Sequence, residues 1–207
     1  MTVILNENEF WKKSLKCPDL GEWIVLDRLT DIILKYVDGC IIDIGIGETT
    51  LVLLKHSKLF DRTHFSIDKR QMVCDWLTKE HSLNLHAGHF LYCGTSHDFI
   101  TEFSKKSEQV AVAMLDGSHN YETMQYEVNF FLSKLSVGGV IFVHDTMPWE
   151  RTYSSKENRG KKTESWRIRT VTGERDDVEI FTWPYTAAYC GLTMILKKDM
   201  SRPFYRR

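Results

Sequence analysis

The sequence predicts an α/β fold: a mostly parallel seven-stranded sheet with helices on both faces and an antiparallel last strand. Three observations lead to it. Short apolar runs alternate along the chain with longer stretches of helical periodicity. The runs are apolar throughout instead of alternating in and out, as strands buried on both faces are. The last two runs have no obvious helix between them, so they are expected to pair as an antiparallel hairpin at the end of the sheet.

The elements follow in order. Residues 7–16 and 22–37 have helical periodicity, the second with apolar residues at 24, 25, 29, 32, 33 and 36. The strand candidates are CIIDI (40–44), HFSID (64–68), HFLYC (89–93), VAVAMLD (110–116) and VIFVHD (140–145), then VEIFTWPY and CGLTMILKK. Helix-like stretches at 48–57, 70–80, 96–106 and 120–135 separate the first five. In the last of these, Tyr121 and the stripe 126, 128, 131, 132 and 135 mark the face that packs on the sheet. Residues 147–175 break the pattern, with eight Lys/Arg, four Glu and no clear period. A structureless loop of that length is uncommon unless it is functional or mobile. The chain reads as one domain: helices at 1–37, a core at 38–146, a candidate lid at 147–175, and final strands with a tail at 176–207.

Composition bounds the function. The chain has 207 residues, 43% hydrophobic and 27% charged, with a net charge of −1. That balance gives no general attraction for nucleic acid or an anionic membrane, so neither is expected as a partner. Cysteines at 17, 40, 74, 93 and 190 form no C-x-x-C pair and read as reduced thiols. The start lacks a basic segment followed by a long apolar one, and no run approaches the roughly 18 apolar residues of a membrane span. A cytoplasmic location is the expectation.

In open parallel sheets, ligands bind outside the carboxyl ends of the strands, where the strand order reverses. The residues just after the apolar runs are therefore the candidate site. They are Asp43-x-Gly45-x-Gly47, Asp68, Gly94-Thr95-Ser96, Asp116-Gly117-Ser118-His119 and His144-Asp145-Thr146. A single strand-end Asp is commonly a helix cap, but five polar strand ends in series point to a shared pocket. Gly45-x-Gly47-x-x-Thr50, with Asp68 about twenty residues on, approximates the dinucleotide fingerprint. Thr50 stands where the third glycine belongs, no Y-x-x-x-K pair occurs, and no G-K-[ST] follows the glycines. A phosphate-binding P-loop is excluded; a nucleoside cofactor or a turn with no ligand both stay open.

The segment LDGSHNYETMQYEVNFFLSKLSVGGVIFVHDT narrows the choice. It closely resembles the later motifs of class I S-adenosylmethionine-dependent methyltransferases, a Rossmann-like fold. It is most similar to the branch of sugar and small-molecule O-methyltransferases with a D-G-x-H-x-Y motif and a G-G-x-x-x-x-x-D strand. The resemblance spans about 38–146, with 180–198 as the usual final strands. It implies a loop of Asp43, Gly45, Gly47 and Thr49 under the cofactor's methionine and ribose, with Asp68 on the ribose hydroxyls. Gly94, Thr95 and Ser96 fall on the adenine side, where many relatives carry an acidic residue. Asp116 borders the cofactor and, with Asp145, matches the carboxylates that bind magnesium or another divalent cation in metal-dependent relatives. His119 matches a general base. His144 stands where relatives often present a second oxygen ligand; imidazole suits magnesium poorly, so the metal stays open and His144 is a further catalytic candidate. The implied reaction is O-methylation of a small hydroxylated molecule such as a sugar or sugar nucleotide. Trp149, Tyr153, Trp166, Arg167 and Arg169 are then candidates to line a lid over an anionic or aromatic substrate. A nicotinamide-dependent oxidoreductase and a non-catalytic cofactor-binding module are the alternatives.

Overall fold

A computed structural model describes residues 20–146, 167–173, 175–183 and 191–201. The chain order is α1 (Leu20–Tyr36), β1 (Cys40–Ile44), α2 (Glu48–Leu59), β2 (His64–Asp68), α3 (Gln71–Glu80), β3 (His89–Cys93), α4 (Ser96–Phe103), β4 (Val110–Leu115), α5 (Tyr121–Lys134), β5 (Leu135–His144), α6 (Ile168–Thr172), β6 (Val178–Trp183) and β7 (Leu192–Lys197). The helix expected at 7–16 and the lid residues Trp149, Tyr153 and Trp166 lie outside the described residues.

The seven strands form one sheet in the order β3-β2-β1-β4-β5-β7-β6. Pairing is parallel from β3 to β5, and β7 runs antiparallel to both β5 and β6. The chain leaves β1 toward β2 and β3, then returns to the other side of β1 at β4, so the order reverses between β1 and β4. Continuous apolarity arises because side chains on both faces are covered. Ile42 and Ile44 of β1 pack with Phe99 and Phe103 of α4 and Val128 and Phe131 of α5. Ile41, pointing the other way, packs with Leu26 and Leu34 of α1 and Val52 and Leu53 of α2. Ile46, Leu54, Cys74 and Leu77 form a smaller cluster under α3.

Three expectations need correction. β5 begins at Leu135, not Val140: Leu135 already pairs with Val110, while Val140 pairs with Val112, so the intervening residues bulge out of the ladder. On α5 the buried stripe includes Met124 and Glu127, and Tyr126 is instead 38% exposed, stacked on His97. The end of 147–175 is not a loop. Residues 168–172 form α6, because Ile168 and Val171, three apart, bury one helical face in the core beside α5.

At the amino edge of the sheet, far along the strands from the candidate site, lies a buried histidine cluster. His64 sits between the hydroxyls of Ser57 (3.5 Å) and Ser66 (3.3 Å), which in turn meet His86 (2.8 Å) and His89 (3.0 Å). Burial holds His64 well below the usual imidazole range, with His89 and His86 adding to the shift. The unfolded chain therefore takes up a proton below about pH 6.5 that folded His64 refuses. Stability linked to this group is intact above that pH and is lost as pH falls toward the depressed folded value. The expected result is that, as pH falls below about 6.5, wild type loses stability relative to His64→Phe, with a slope that grows toward a limit of about 1.4 kcal/mol per pH unit. Urea unfolding of both proteins across that range checks it; parallel pH profiles would contradict it.

Candidate active site

Parallel pairing brings five strand ends to one edge, and register sets their neighbours. Ile44 pairs with Ile67 on one side and Leu115 on the other. Gly45 N–H accordingly donates to Ile67 O (2.9 Å), and Asp116 N–H to Ile44 O (2.7 Å). This contact explains Gly45: it has φ of +94°, and a Cβ there would stand 2.3 Å from the Asp116 carbonyl oxygen. Gly47 is different. A Cβ there would meet nothing within 4 Å, so the turn opens onto free space at the start of α2, and its N–H donates to Thr50 Oγ1 (3.0 Å).

Two acids flank this turn. Asp43 is fully buried inside β1, and no donor besides the nearby Thr50 hydroxyl faces its carboxylate. Burial pushes its pKa up to about 8, partly offset by the Thr50 hydroxyl and reinforced by Asp116 and Asp68. Asp68, also buried, accepts from Ile46 N–H (3.2 Å) and so faces the turn as expected. Its oxygens also accept from Arg70: the backbone N–H at 2.8 Å, and the guanidinium at 3.0 and 2.7 Å. An open cleft of about 880 Å³ starts at Ile46, Gly47 and Arg70 and runs along α3 past Val73 and Trp76. Thr49 is buried in the first turn of α2, its hydroxyl without a partner.

The third strand end is more structural than the sequence suggests. Gly94 N–H donates to Asp68 O (3.0 Å). Thr95 caps α4: its hydroxyl accepts from Asp98 N–H (3.1 Å) and donates to the Asp98 carboxylate (2.6 Å). Ser96 opens that helix beside Glu127, a residue the sequence reading missed. Burial pushes the Glu127 carboxyl up to about 7, with the Ser96 hydroxyl opposing, and its Oε1 has no partner.

The fourth and fifth strand ends converge. His144 Nδ1 lies 3.0 Å from Asp116 Oδ1, and His119 Nε2 lies 3.5 Å from Asp145 Oδ2 and 3.9 Å from Asp116 Oδ1. Asp145 is buried and has φ of +57°, a left-handed backbone rare for a non-glycine residue. Such strain persists where surrounding structure holds it, often at functional sites. Asp116 (23%) and His119 (20%) have the more accessible side chains of the four. The group thus pairs carboxylates with imidazoles. Among the described residues no three acidic, imidazole or thiol groups are arranged to hold a metal ion.

A fifth member comes from the N-terminal helix. Glu22, 1% exposed in the first turn of α1, places Oε2 2.8 Å from His144 Nε2 and accepts from Gly191 N–H (2.7 Å) through Oε1. The helix is pinned in place by Asp27, whose Oδ1 meets His56 Nε2 (2.7 Å) and Lys55 Nζ (3.2 Å) of α2. Burial would raise the Asp27 pKa, but those two partners hold it below the usual value. No motif flags Glu22; only its place near the start of an amphipathic helix does. Arg167, a lid candidate, lies with its guanidinium 3.8 Å from the centre of the Tyr121 ring.

The strand order is that of a Rossmann-like fold, with the glycine turn at its reversal and the acid–imidazole cluster beside it as the candidate site. Residues 42–146 match a family profile described as a methyltransferase domain. The chain belongs to that family, and its fold is that of the class I S-adenosylmethionine-dependent methyltransferases. Among solved structures it is similar to the O-methyltransferase TomG of Streptomyces achromogenes, involved in tomaymycin synthesis, in complex with S-adenosylmethionine. That likeness has a TM-score of 0.69 at 13% identity and covers 87% of this chain and 81% of that one. A Bacillus cereus O-methyltransferase in complex with S-adenosylhomocysteine gives 0.66 at 12% identity, covering 94% of each chain. A Streptococcus thermophilus rRNA methylase gives 0.57 at 16% identity, covering 89% of this chain and 98% of that one. At such identities the likeness is one of fold. Comparison with curated sequences gives no match. Among the described residues no helix is long and apolar enough to cross a membrane.

Proposed function

We propose that the chain methylates a hydroxyl oxygen of a small hydroxylated molecule, with sugars and sugar nucleotides the class its motifs favour, using S-adenosylmethionine. The observation that carries this reading is Asp43: a fully buried carboxyl with no donor besides the Thr50 hydroxyl, at the base of a glycine turn that opens onto free space. A buried acid in that state is costly until a ligand brings a donor or a cation. A sulfonium amino acid brings cationic groups, and Asp68 on the other side of the turn suits ribose hydroxyls. The fit is to a nucleoside without pyrophosphate, since Thr50 replaces the third glycine and its hydroxyl oxygen accepts from Gly47 N–H.

When bound, the cofactor supplies a methyl group electrophilic enough for in-line displacement. The chain's work is alignment and proton removal. His119, part-exposed beside Asp116 and Asp145, takes the acceptor's hydroxyl proton at a ring nitrogen as the oxygen–methyl bond forms. The two carboxylates then stabilise the resulting imidazolium. A divalent cation suits this set less well. Asp116 and Asp145 would supply its carboxylates, yet each faces imidazoles, and magnesium prefers oxygen ligands to nitrogen. No step here runs through a metal. Calorimetric titration tests the cofactor: S-adenosylhomocysteine binds and NADH does not. Tight NADH binding with none for S-adenosylhomocysteine would restore the oxidoreductase alternative.

A further inference from the structure

We propose that Cys74 and Cys93 are a peroxide-sensitive thiol pair beneath Asp68, which closes to a disulfide and weakens cofactor binding there. The effect on the cofactor rests on the methyltransferase reading, whereas the thiol chemistry does not. β2 and β3 run side by side, and their register pairs Asp68 with Cys93 at the carboxyl ends. Cys74 reaches the same point from the first turn of α3, where its thiol donates to the Asp68 carbonyl oxygen (3.4 Å). Gly94 N–H, one residue past Cys93, donates to that same oxygen (3.0 Å). The two thiols therefore meet beside one carbonyl, with the Cys74 sulfur in hydrogen-bonding reach of Cys93. Cys93 also donates to the side-chain oxygen of Gln71 (3.3 Å), in the same turn of α3.

Their surroundings divide the work. Cys93 is exposed, whereas Cys74 is 1% exposed. Burial, with Cys93, Asp68 and Asp75 alongside, pushes the Cys74 thiol up to about 12, so Cys93 is the one that meets an oxidant. The Cys93 thiolate attacks one oxygen of a peroxide, ROOH, and the O–O bond breaks. Cys93 becomes a sulfenic acid, and the other oxygen leaves as ROH with the thiol's proton. The Cys74 sulfur then attacks the Cys93 sulfur, and the sulfenic hydroxyl leaves as water with the Cys74 proton. The two thiols together lose two electrons, and the peroxide takes them up. Covalent linkage brings the sulfurs closer than any non-bonded contact, so closure draws the first turn of α3 toward the end of β3. It also takes the Cys74 donor from the Asp68 carbonyl. Arg70 N–H, just before α3, holds the Asp68 carboxylate at 2.8 Å, so the shift is passed to the group that faces ribose.

The experiment treats the reduced full chain with hydrogen peroxide. Trypsin cuts after Lys79, between the two cysteines, so the disulfide should join peptides 71–79 and 80–105 in a non-reducing mass map. By calorimetry the oxidised chain should bind S-adenosylhomocysteine about tenfold more weakly, the loss of about one hydrogen bond to a carboxylate. Dithiothreitol should restore the affinity. Cys93→Ser should bind as reduced wild type does and ignore peroxide. Cys74→Ser should halt at a sulfenic acid on Cys93, which dimedone traps. Wild type alone decides the matter if either variant fails to fold. Unlinked Cys74 and Cys93 after peroxide overturn the proposal, as does a linked pair with unchanged affinity. A loss of affinity that dithiothreitol does not reverse, or that Cys93→Ser shares, marks oxidation elsewhere and overturns it too. Absence of S-adenosylhomocysteine binding to the reduced chain would instead overturn the methyltransferase reading, and the peptide map would then decide the thiol chemistry by itself.

Discussion

Asp68→Ala lowers affinity for S-adenosylhomocysteine by about a hundredfold or more. The ribose offers two hydroxyl donors, and each hydrogen bond to a carboxylate contributes about 1.5–3 kcal/mol. Asp68 already shows that it can accept several donors from one position, since Ile46 N–H and three Arg70 nitrogens converge on it. That crowding sets the control. If ribose takes the oxygens, the Arg70 guanidinium, whose side chain is 59% exposed, must swing aside. Arg70→Ala therefore leaves affinity unchanged or tightens it. Asp68→Asn, which keeps an acceptor for Ile46 N–H, separates loss of the ribose contact from loss of support for the turn. Calorimetry reads all three, with thermal unfolding of the ligand-free proteins to confirm that the turn survives. Unchanged affinity in Asp68→Ala would remove Asp68 from the cofactor site.

The sheet was readable because its strands are short, apolar on both faces and separated by amphipathic helices. β1, β2 and β4 are buried at every position, which is what an uninterrupted apolar run predicts. β3 had the same look yet lies at the sheet edge, with Phe90 52% exposed. Apolarity alone does not distinguish an edge strand from a central one. The start of β5 was missed for a different reason. Residues 136–139 fall between the helical stretch and the apolar run, and only pairing of Leu135 with Val110 makes them a bulge within one strand. α6 is short, and its apolar positions, Ile168 and Val171, are separated by charge and threonine, too little for a period to emerge.

The candidate site was legible where polar residues stand at strand ends. Asp43, Gly45, Gly47, Asp68, Asp116, His119, His144 and Asp145 could be named because a parallel sheet brings all its carboxyl ends to one edge. What the sequence does not carry is the pairing among them. Whether His144 meets Asp116 or solvent depends on register between β4 and β5, and Glu22 reaches it across 122 residues. Glu127 was hidden inside a helical stripe, where an acid is ordinarily taken for the solvent side. Thr95 has a local role that its place at a strand end does not reveal: its hydroxyl caps its own helix.

His119→Ala lowers turnover by about 10²–10⁴-fold while S-adenosylhomocysteine affinity is retained. The basis is geometric. Of the two histidines at the β4 and β5 ends, His144 is 8% exposed and held between Asp116 and Glu22, whereas His119 is 20% exposed with its Nε2 between Asp145 and Asp116. Only the latter is placed to meet an incoming hydroxyl. Asp145→Asn removes a negative partner of the His119 imidazolium without changing the shape of the site, so it lowers turnover in the same direction and by less. The same partners decide the metal question. A magnesium ion bound by Asp116 and Asp145 would have to displace His119 and His144 from the carboxylates that they now face. Excess EDTA is therefore expected to leave turnover unchanged, and magnesium titrated into the S-adenosylhomocysteine complex is expected to give no heat. Activity abolished by EDTA and restored by magnesium would show that the carboxylates leave their imidazoles for a cation. A His119→Ala enzyme with full turnover would move the base elsewhere, with His144 the next group within reach of Asp116.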